Sequence, residues 1–353
     1  MQCVRRHDVD PYVCVLMEPG AVSEEMARTG VPICTLGMRS GHDPRLFLRF
    51  LALVRRLRPD IVHFHELHLV PAFAMRLLPR VPVVASVHLS PTWASSLVKE
   101  RLLWTITGGR IDRFLPVSRS TARELEAHLG IAAPRMTVAY NGIDVGGLDE
   151  KRHEITVKGS SGEGRTKVVG GVGRLARGKD WVSFLRVAGL LSKMRGDVRF
   201  EIVGGGPLRS PLEETARRLG LAGKVSWRGF RADALELISH FDVFLLTSIY
   251  ETGPITLLEA FALRVPVAGF IPRGGTREIL GFCTKPAGAF VEERSPELLA
   301  RAVSELLDNP QQAAVKADEG YRVVREHFDM ARIAVQVTRV YEEVLSDRED
   351  AQS

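Results

Sequence analysis

Two glutamates eight positions apart, Glu251 and Glu259, stand in a stretch that predicts strand, turn and helix in succession. The apolar run Val243–Leu246 predicts a buried strand. Pro254 suits the first position of a helix, which we expect over residues 255–263, because that position needs no N–H. A helix that opens just after a strand favours anions, since its first N–H groups are unpaired and its dipole is positive there. Carboxylates beside an anion site suit hydroxyl groups, so the pattern is typical of a ligand that is both phosphate and sugar. Taken alone, two glutamates at this spacing are far more often ordinary exposed surface charges, and the neighbouring motifs described below reverse that interpretation.

Two glycine-rich turns follow other predicted strands. The strand near 167–172 runs into Gly173-Arg174 and, five residues later, Lys179. An arginine can grip phosphate with two N–H donors and a lysine adds a point charge, so together they could neutralise a diphosphate without a metal. A basic loop by itself is a solvated surface about as often. The second turn, Gly204 to Gly206, is on its own only a strand-to-helix connection.

These segments together resemble one family. Glu251 to Ala262 followed by Val-Pro-Val is similar to the E-x7-E signature of retaining GT-B glycosyltransferases, the large family 4 of nucleotide-sugar transferases. Four further stretches resemble motifs of the same family in the same order: G-R-x4-K at 173–179, V-G-x-G-P-L at 203–208, the base-reading segment at 227–230 and G-G-x-x-E at 274–278. Asn141 to Asp144 resembles its N-G-x-D turn. Each motif is weak alone, and their order and spacing make the resemblance strong.

The resemblance implies a role for each matching residue. The expected catalytic residues are Glu251 at the transferred sugar, Arg174 and Lys179 at the leaving diphosphate, and His88 near the transferred carbon. The expected donor-binding residues are Glu259 at the ribose hydroxyls, Gly204, Gly206, Phe230, Gly253, Ile255 and Gly275. For Phe230, a place in the core is almost equally expected. One departure concerns the sugar contact: the family's E-x-F-G is Glu251-Thr252-Gly253-Pro254 here, and proline has no N–H to donate.

The histidines of the first half have a second interpretation. His88 ends the predicted strand 81–87, where a lone histidine is more often a structural hydrogen-bonding group; the family pattern favours the functional role. His63 and His65 alternate with apolar residues, as strand residues do, and we interpret them as structural. A metal held by these two and His68 is the minor alternative, since no carboxylate or cysteine completes a familiar ligand set.

The order of elements predicts an α/β protein of the GT-B fold class, with two Rossmann-like parallel-sheet domains facing a cleft. Strands are expected near 12–16, 33–36, 60–65, 81–87, 114–117, 136–140, 167–172, 199–203, 224–227, 243–246 and 265–270. Helices are expected at 22–29, 44–58, 97–107 and 118–129. The predicted domains are residues 1–145 on the acceptor side, a glycine- and serine-rich linker at 146–166, the nucleotide-sugar domain at 167–328, and a crossover helix with a tail at 329–353.

The beginning of the chain departs from the family. Family members open with a strand, a glycine-rich loop and a helix before the piece that Tyr12–Leu16 resembles, so we expect the first domain to lack its usual first strand. A misplaced start or a fragment is the favoured explanation. A genuine loss would favour the alternative function, an N-terminally truncated, non-catalytic, nucleotide-binding GT-B protein. A sugar-nucleotide epimerase of the same shape is a second alternative. The intact cation pair and glutamate pair argue against both alternatives.

Gross composition is compatible with this prediction. The 353 residues suit two domains, 45% are apolar and 25% charged, and the net charge of +6 is too modest for a nucleic-acid-binding protein. Four scattered cysteines without a CxxC pair suggest neither zinc nor a disulfide framework. We therefore predict a retaining, metal-independent hexosyltransferase without a cofactor, using a nucleotide-diphosphate sugar (UDP or GDP) and a polysaccharide or lipid-linked acceptor. Its expected place is the cytoplasm, peripheral on the inner membrane face if the basic helix at 44–58 touches anionic lipid. An equally weighted alternative is that this helix packs on the core with its arginines facing solvent.

Overall fold

The computed structural model describes residues 9–17, 21–38, 44–66, 69–78, 81–88, 108–150 and 165–350. These residues form two compact units. The first contains the chain up to Tyr140 together with the segment from Ala331 onward, and the second spans Asn141–Met330. The predicted helix at 97–107 and residues 151–164 of the predicted linker lie outside the described residues.

The second unit is built on a parallel sheet of six strands. The strands are β6 (Lys167–Val172), β7 (Val198–Val203), β8 (Val225–Gly229), β9 (Val243–Leu246), β11 (Val267–Phe270) and β13 (Ala289–Val291). Their order across the sheet is β13-β11-β9-β6-β7-β8. A separate short parallel pair, β10 (Tyr250–Glu251) and β12 (Arg273–Gly274), lies between them in sequence. The helices are α5 (Trp181–Met194), α6 (Arg209–Arg218), α7 (Ala234–Ser239), α8 (Ile255–Ala262), α9 (Gly275–Leu280), α10 (Pro296–Asp308) and α11 (Pro310–His327). Apolar runs such as Val243–Leu246 are wholly buried, as parallel strands covered on both faces require.

The first unit contains two smaller parallel sheets, β1-β2 and β3-β4-β5. Its strands are β1 (Val13–Val15), β2 (Ile33–Thr35), β3 (Val62–His65), β4 (Val83–Val87) and β5 (Arg113–Pro116). Its helices are α1 (Ala21–Arg28), α2 (Pro44–Leu57), α3 (Leu69–Ala74) and α4 (Arg119–Leu129). The apolar stripe of α2, which includes Leu46, Phe50 and Val54, packs against Phe64 of β3 in one core.

The C-terminal helix α12 (Met330–Asp350) carries the chain back to the first unit, to which its residues from Ala331 onward belong. Val340 and Val344 pack with Val84 of β4 and Leu115 of β5.

Two local predictions are wrong. Residues 137–140 form no strand, although Thr137 and Ala139 donate N–H groups to Phe114 and Pro116 (2.9 and 3.0 Å). The pairing cannot become a full ladder, because Pro116 has no N–H to return. In addition, residues 146–150, predicted as the start of the linker, are helical. Asp144 initiates that helix, since its carboxylate accepts the N–H of Gly147 at 3.1 Å.

Candidate active site

Five of the predicted motifs begin at the carboxyl ends of adjacent strands in the six-stranded sheet. Residues 173–179 follow β6, 204–206 follow β7, Phe230 follows β8, 247–259 follow β9, and 273–275 follow β11. Carboxyl ends of neighbouring parallel strands meet at one edge, and that edge is where open α/β sheets bind ligands. The second unit therefore collects these residues at a single edge of its sheet.

Glu251 is buried, with 8% of its surface exposed, and one oxygen of its carboxylate is engaged by two donors. Its Oε1 accepts hydrogen bonds from Nζ of Lys179 and from Oγ of Ser248, each at 2.6 Å. Its backbone pairs with Gly274 in the β10–β12 ladder, where φ of Gly274 is 98° and a Cβ would lie 2.2 Å from the Glu251 carbonyl oxygen. The two predicted catalytic residues Lys179 and Glu251 are thus brought into direct contact, and the Gly274-Gly275 motif lies against them.

Glu259 has the opposite environment, although it lies in the same segment. Its carboxylate is largely buried in α8 and accepts no hydrogen bond from any described residue. Burial disfavours the charged form and raises the pKa of this carboxyl above its ordinary value. A largely buried carboxylate without a partner among the described residues is suited to accept hydroxyl groups of a ligand.

Helix α8 begins at Ile255, one residue after Pro254, which is the residue before the helix rather than its first position. The Pro254 carbonyl accepts the N–H groups of Leu257 and Leu258. N–H groups earlier in the first turn have no partner within the helix, as at any helix start. Nδ2 of Asn141 donates to the carbonyl of Gly253 at 2.9 Å and fixes the turn ahead of the helix.

The two glycine turns pack backbone against backbone. The Leu175 N–H donates to the Gly205 carbonyl at 2.8 Å, and a Cβ on Gly204 would lie 1.9 Å from the carbonyl oxygen of Gly173. Gly204 and Gly206 both have positive φ (143° and 155°), so glycine is required there for conformation and for space. The two turns therefore pack against each other at the same edge of the sheet.

Arg174 lies on the first of these turns with its side chain exposed. It makes no hydrogen bond or ion pair with any other residue that the structure describes, while its own carbonyl accepts the indole N–H of Trp181 at 3.0 Å. The backbone of Arg174 is therefore fixed, and its guanidinium is available for an anionic ligand. Lys179, on the same turn, is instead occupied by Glu251.

Phe230 is 74% exposed and is not part of the core, which removes the core-filler interpretation. It follows Gly229, whose carbonyl accepts the N–H of Gly204 at 2.7 Å. Gly275 is buried at the start of α9. The sequence therefore identified segments that do lie together, from the glycine turns to the two glutamates.

His88 belongs to the first unit, where it joins a row of imidazoles. His63 stacks on His65 with ring centroids 4.6 Å apart, and Nδ1 of His65 lies 3.4 Å from Nε2 of His88. His63 is held between Tyr341 Oη (2.6 Å) and Ser86 Oγ (2.8 Å), and burial lowers its pKa to about 3. His63 is therefore a structural, neutral histidine, as predicted. His65 was predicted to be structural as well, and its contact with His88 was missed.

No group of three or more His, Cys, Asp or Glu within the described residues could hold a metal ion. His68 of the alternative metal set lies outside them. In the part of the chain that the structure describes, no helix has the length and apolar character that crossing a membrane requires. Cys14, Cys34 and Cys283 are free thiols.

Two parallel-sheet units, with glycine turns, cations and paired glutamates at one sheet edge, define a protein of the GT-B class. Two family models match the chain: "Glycosyltransferase Family 4" over residues 1–146 and "Glycosyl transferases group 1" over residues 154–323. The chain belongs to the family 4, group 1 glycosyltransferases.

Curated relatives and solved structures agree with that placement. The chain is 26% identical over 188 residues to a Campylobacter jejuni N-acetylgalactosaminyltransferase that acts on a diphospho-undecaprenol glycan (53% of this chain, 48% of the relative). It is 28% identical over 235 residues to a 2-deoxystreptamine glucosyltransferase of Streptomyces kanamyceticus (65% and 60%). The chain thus matches half to three fifths of the length of these relatives. Anabaena HepE in complex with UDP and glucose has the same fold, with a TM-score of 0.79 at 20% identity (96% of this chain, 94% of HepE).

Proposed function

We propose that this chain transfers a sugar from a nucleotide-diphosphate sugar to an acceptor hydroxyl, with retention of anomeric configuration and without a metal ion. The proposal rests on one edge of the sheet, where two glycine turns and the start of α8 lie with the Lys179–Glu251 pair. Arg174 and Glu259 are at the same edge, and their side chains have no partner among the described residues. Cations and N–H groups suit a diphosphate, and carboxylates suit sugar hydroxyls.

In the proposed mechanism, Arg174, Lys179 and the first N–H groups of α8 stabilise the negative charge that builds on the leaving diphosphate. Such electrostatic stabilisation is usually the largest contribution to rate. Glu251 holds the transferred sugar and Glu259 the ribose hydroxyls. The acceptor hydroxyl attacks from the face that the diphosphate leaves and gives its proton to the departing phosphate. No protein carboxylate then acts as nucleophile, which suits Glu251 because Lys179 and Ser248 already occupy its Oε1.

The test is thermal stabilisation by UDP, GDP, ADP and CMP, because a ligand that binds the folded state raises the unfolding temperature. We expect one diphosphate to stabilise the protein selectively and Glu259→Ala to abolish the shift. The anomeric configuration of the product, read by NMR, tests retention, and turnover in excess EDTA tests metal independence. Inverted product would refute the stereochemical part alone. No shift with any nucleotide in a folded protein would refute the donor site.

The acceptor is proposed to be a polysaccharide or lipid-linked glycan presented at the cytoplasmic membrane face. The Campylobacter relative, named for a diphospho-undecaprenol acceptor, supports this class. So does the outer face of α2, which exposes arginines and an apolar side chain (Arg45, Leu48, Arg49, Arg55 and Arg56) and has no acidic residue. Phe73 of α3, which contacts Phe47 of α2, is also 48% exposed. Such a face suits an anionic bilayer surface.

A vesicle pelleting assay tests the membrane contact. The variant Arg55→Glu/Arg56→Glu should lose binding to phosphatidylserine vesicles and retain its unfolding temperature. Arg49 is left intact because its Nη1 donates to the Leu36 carbonyl at 2.8 Å. The matched control Arg119→Glu/Arg123→Glu reverses two exposed charges of α4. Equal pelleting of both variants and wild type would refute the contact.

A further inference from the structure

Arg294, in the segment between β13 and α10, lies outside every motif noted above and makes four contacts with three other segments. Its Nη1 donates to the Ser248 carbonyl at 3.0 Å, and its Nη2 donates to the Thr247 carbonyl at 2.7 Å. Nη2 also bonds Oδ2 of Asp180 at 2.6 Å. The guanidinium lies 4.5 Å from the ring centroid of Phe270. One planar side chain thus joins the loop after β9 to the start of α5.

Those two segments supply the hydrogen-bond donors to the Glu251 side chain that the described residues provide, Lys179 and Ser248. Asp180 directly follows Lys179 and caps α5, with Oδ2 accepting the Ser183 hydroxyl at 2.7 Å; its φ is +47°, a left-handed conformation. Lys179 and Ser248 then donate to the same oxygen of Glu251. The position of each donor therefore depends on a segment that Arg294 holds.

We propose that Arg294 is a positioning residue that fixes Lys179 and Ser248 around Glu251 and so sets the orientation of this carboxylate toward the sugar of the donor. This rests on the proposed role of Glu251 at the sugar. An arginine suits the task because its planar fork can serve two carbonyls and a carboxylate at once. Lysine has a compact ammonium without that fork, so Arg294→Lys should restore only part of the function.

The first measurement needs no ligand. Hydrogen exchange of the apo protein, read by mass spectrometry, should show faster exchange in residues 176–183 and 245–252 of Arg294→Ala. We expect about tenfold or more in both, the effect of losing hydrogen bonds to a charged group. Exchange in 255–262 should be unchanged. Arg217→Ala is the matched control, because the exposed Glu214 is the one side chain that pairs with Arg217 among the described residues. Unchanged exchange in both segments, or faster exchange throughout the unit, would overturn the proposal.

The second measurement separates positioning from general loosening. Kd values for UDP and UDP-glucose are compared by calorimetry in wild type, Arg294→Ala, Arg294→Lys, Glu251→Gln and the Arg294→Ala/Glu251→Gln double variant. We expect Arg294→Ala to weaken UDP-glucose about tenfold or more relative to UDP, and to have no further effect once Glu251 is glutamine. Additive effects would overturn the proposal. If wild-type protein binds UDP-glucose no better than UDP, UDP-glucose is not the donor of this enzyme. The hydrogen-exchange measurement, which needs no ligand, then decides the role of Arg294.

Discussion

Replacing Glu259 by glutamine should change stability and ligand binding in opposite directions. The carboxylate is largely buried, accepts no hydrogen bond from a described residue, and has a raised pKa. Between its ordinary pKa of 4.5 and the higher folded value, the folded state binds more protons than the unfolded state. The free energy of unfolding therefore falls as pH rises through this window, and the cost is fully present above the folded pKa. Each unit of that pKa shift costs about 1.4 kcal/mol.

Glutamine keeps the shape and removes the charge. The variant should therefore unfold at higher denaturant concentration than wild type at pH 7, with the difference vanishing as pH falls below 4.5. Nucleotide binding should weaken, because a hydrogen bond to a charged acceptor contributes about 1.5–3 kcal/mol. At about 1.4 kcal/mol for each tenfold, loss of one such bond raises Kd roughly ten- to a hundredfold.

Urea unfolding at several pH values gives the stability, and calorimetry with the nucleotide selected by thermal shift gives Kd. The matched control is Glu214→Gln, which removes an exposed carboxylate of the same unit and should change neither quantity by more than a few tenths of a kcal/mol. A Glu259→Gln protein that is less stable than wild type at pH 7 would show that Glu259 has a protein partner. One that binds nucleotide as wild type does would refute its role at the ribose.

Three further perturbations have defined outcomes. Arg174→Ala should raise the Kd of UDP about tenfold or more, because it removes a charged donor to the phosphate. It should not lower the unfolding temperature, because the guanidinium has no partner among the described residues. Equal Kd values for variant and wild type would refute the phosphate role of Arg174. The pKa of His63 is lowered to about 3, so between pH 6.5 and 3 only the unfolded state binds the proton and the free energy of unfolding of the wild type falls as pH drops. A His63→Gln variant should lose this pH dependence in urea unfolding experiments. An unchanged pH dependence would contradict the assignment of His63 as a buried neutral histidine. Gly204→Ala should lower both the free energy of unfolding and the affinity for UDP, because the added Cβ would meet the Gly173 carbonyl. A variant with the stability and the UDP Kd of the wild type would argue against the close approach of the two turns.

Features that depend on a short stretch of sequence were predicted well. An apolar run indicated strand β9, a proline indicated the nearby helix start, although not its exact position, and successive glycines indicated the turn at 204–206. Contacts between distant segments were not predictable in this way. Arg294 meets Ser248, 46 positions away, and no local pattern indicates that pairing. The same limit hid the contact of His65 with His88, which depends on the pairing of two strands.

The two glutamates of the signature are chemically alike in sequence, and the fold makes them different. Glu251 lies at the end of a short strand, where the Gly178 carbonyl accepts the Ile249 N–H at 2.9 Å and draws the loop against the turn that carries Lys179. Its charge is therefore compensated before any ligand arrives. Glu259, eight residues further on and inside α8, meets no hydrogen-bond donor among the described residues and keeps the cost of burial. A ligand hydroxyl relieves that cost at Glu259 only, so the binding energy of the nucleotide itself should concentrate at the ribose, whereas Glu251 should act on the sugar of the donor. Glu251→Gln is accordingly expected to lower turnover more than nucleotide affinity, and Glu259→Gln the reverse; the ratio of the two effects, measured as kcat against Kd, decides whether this division holds.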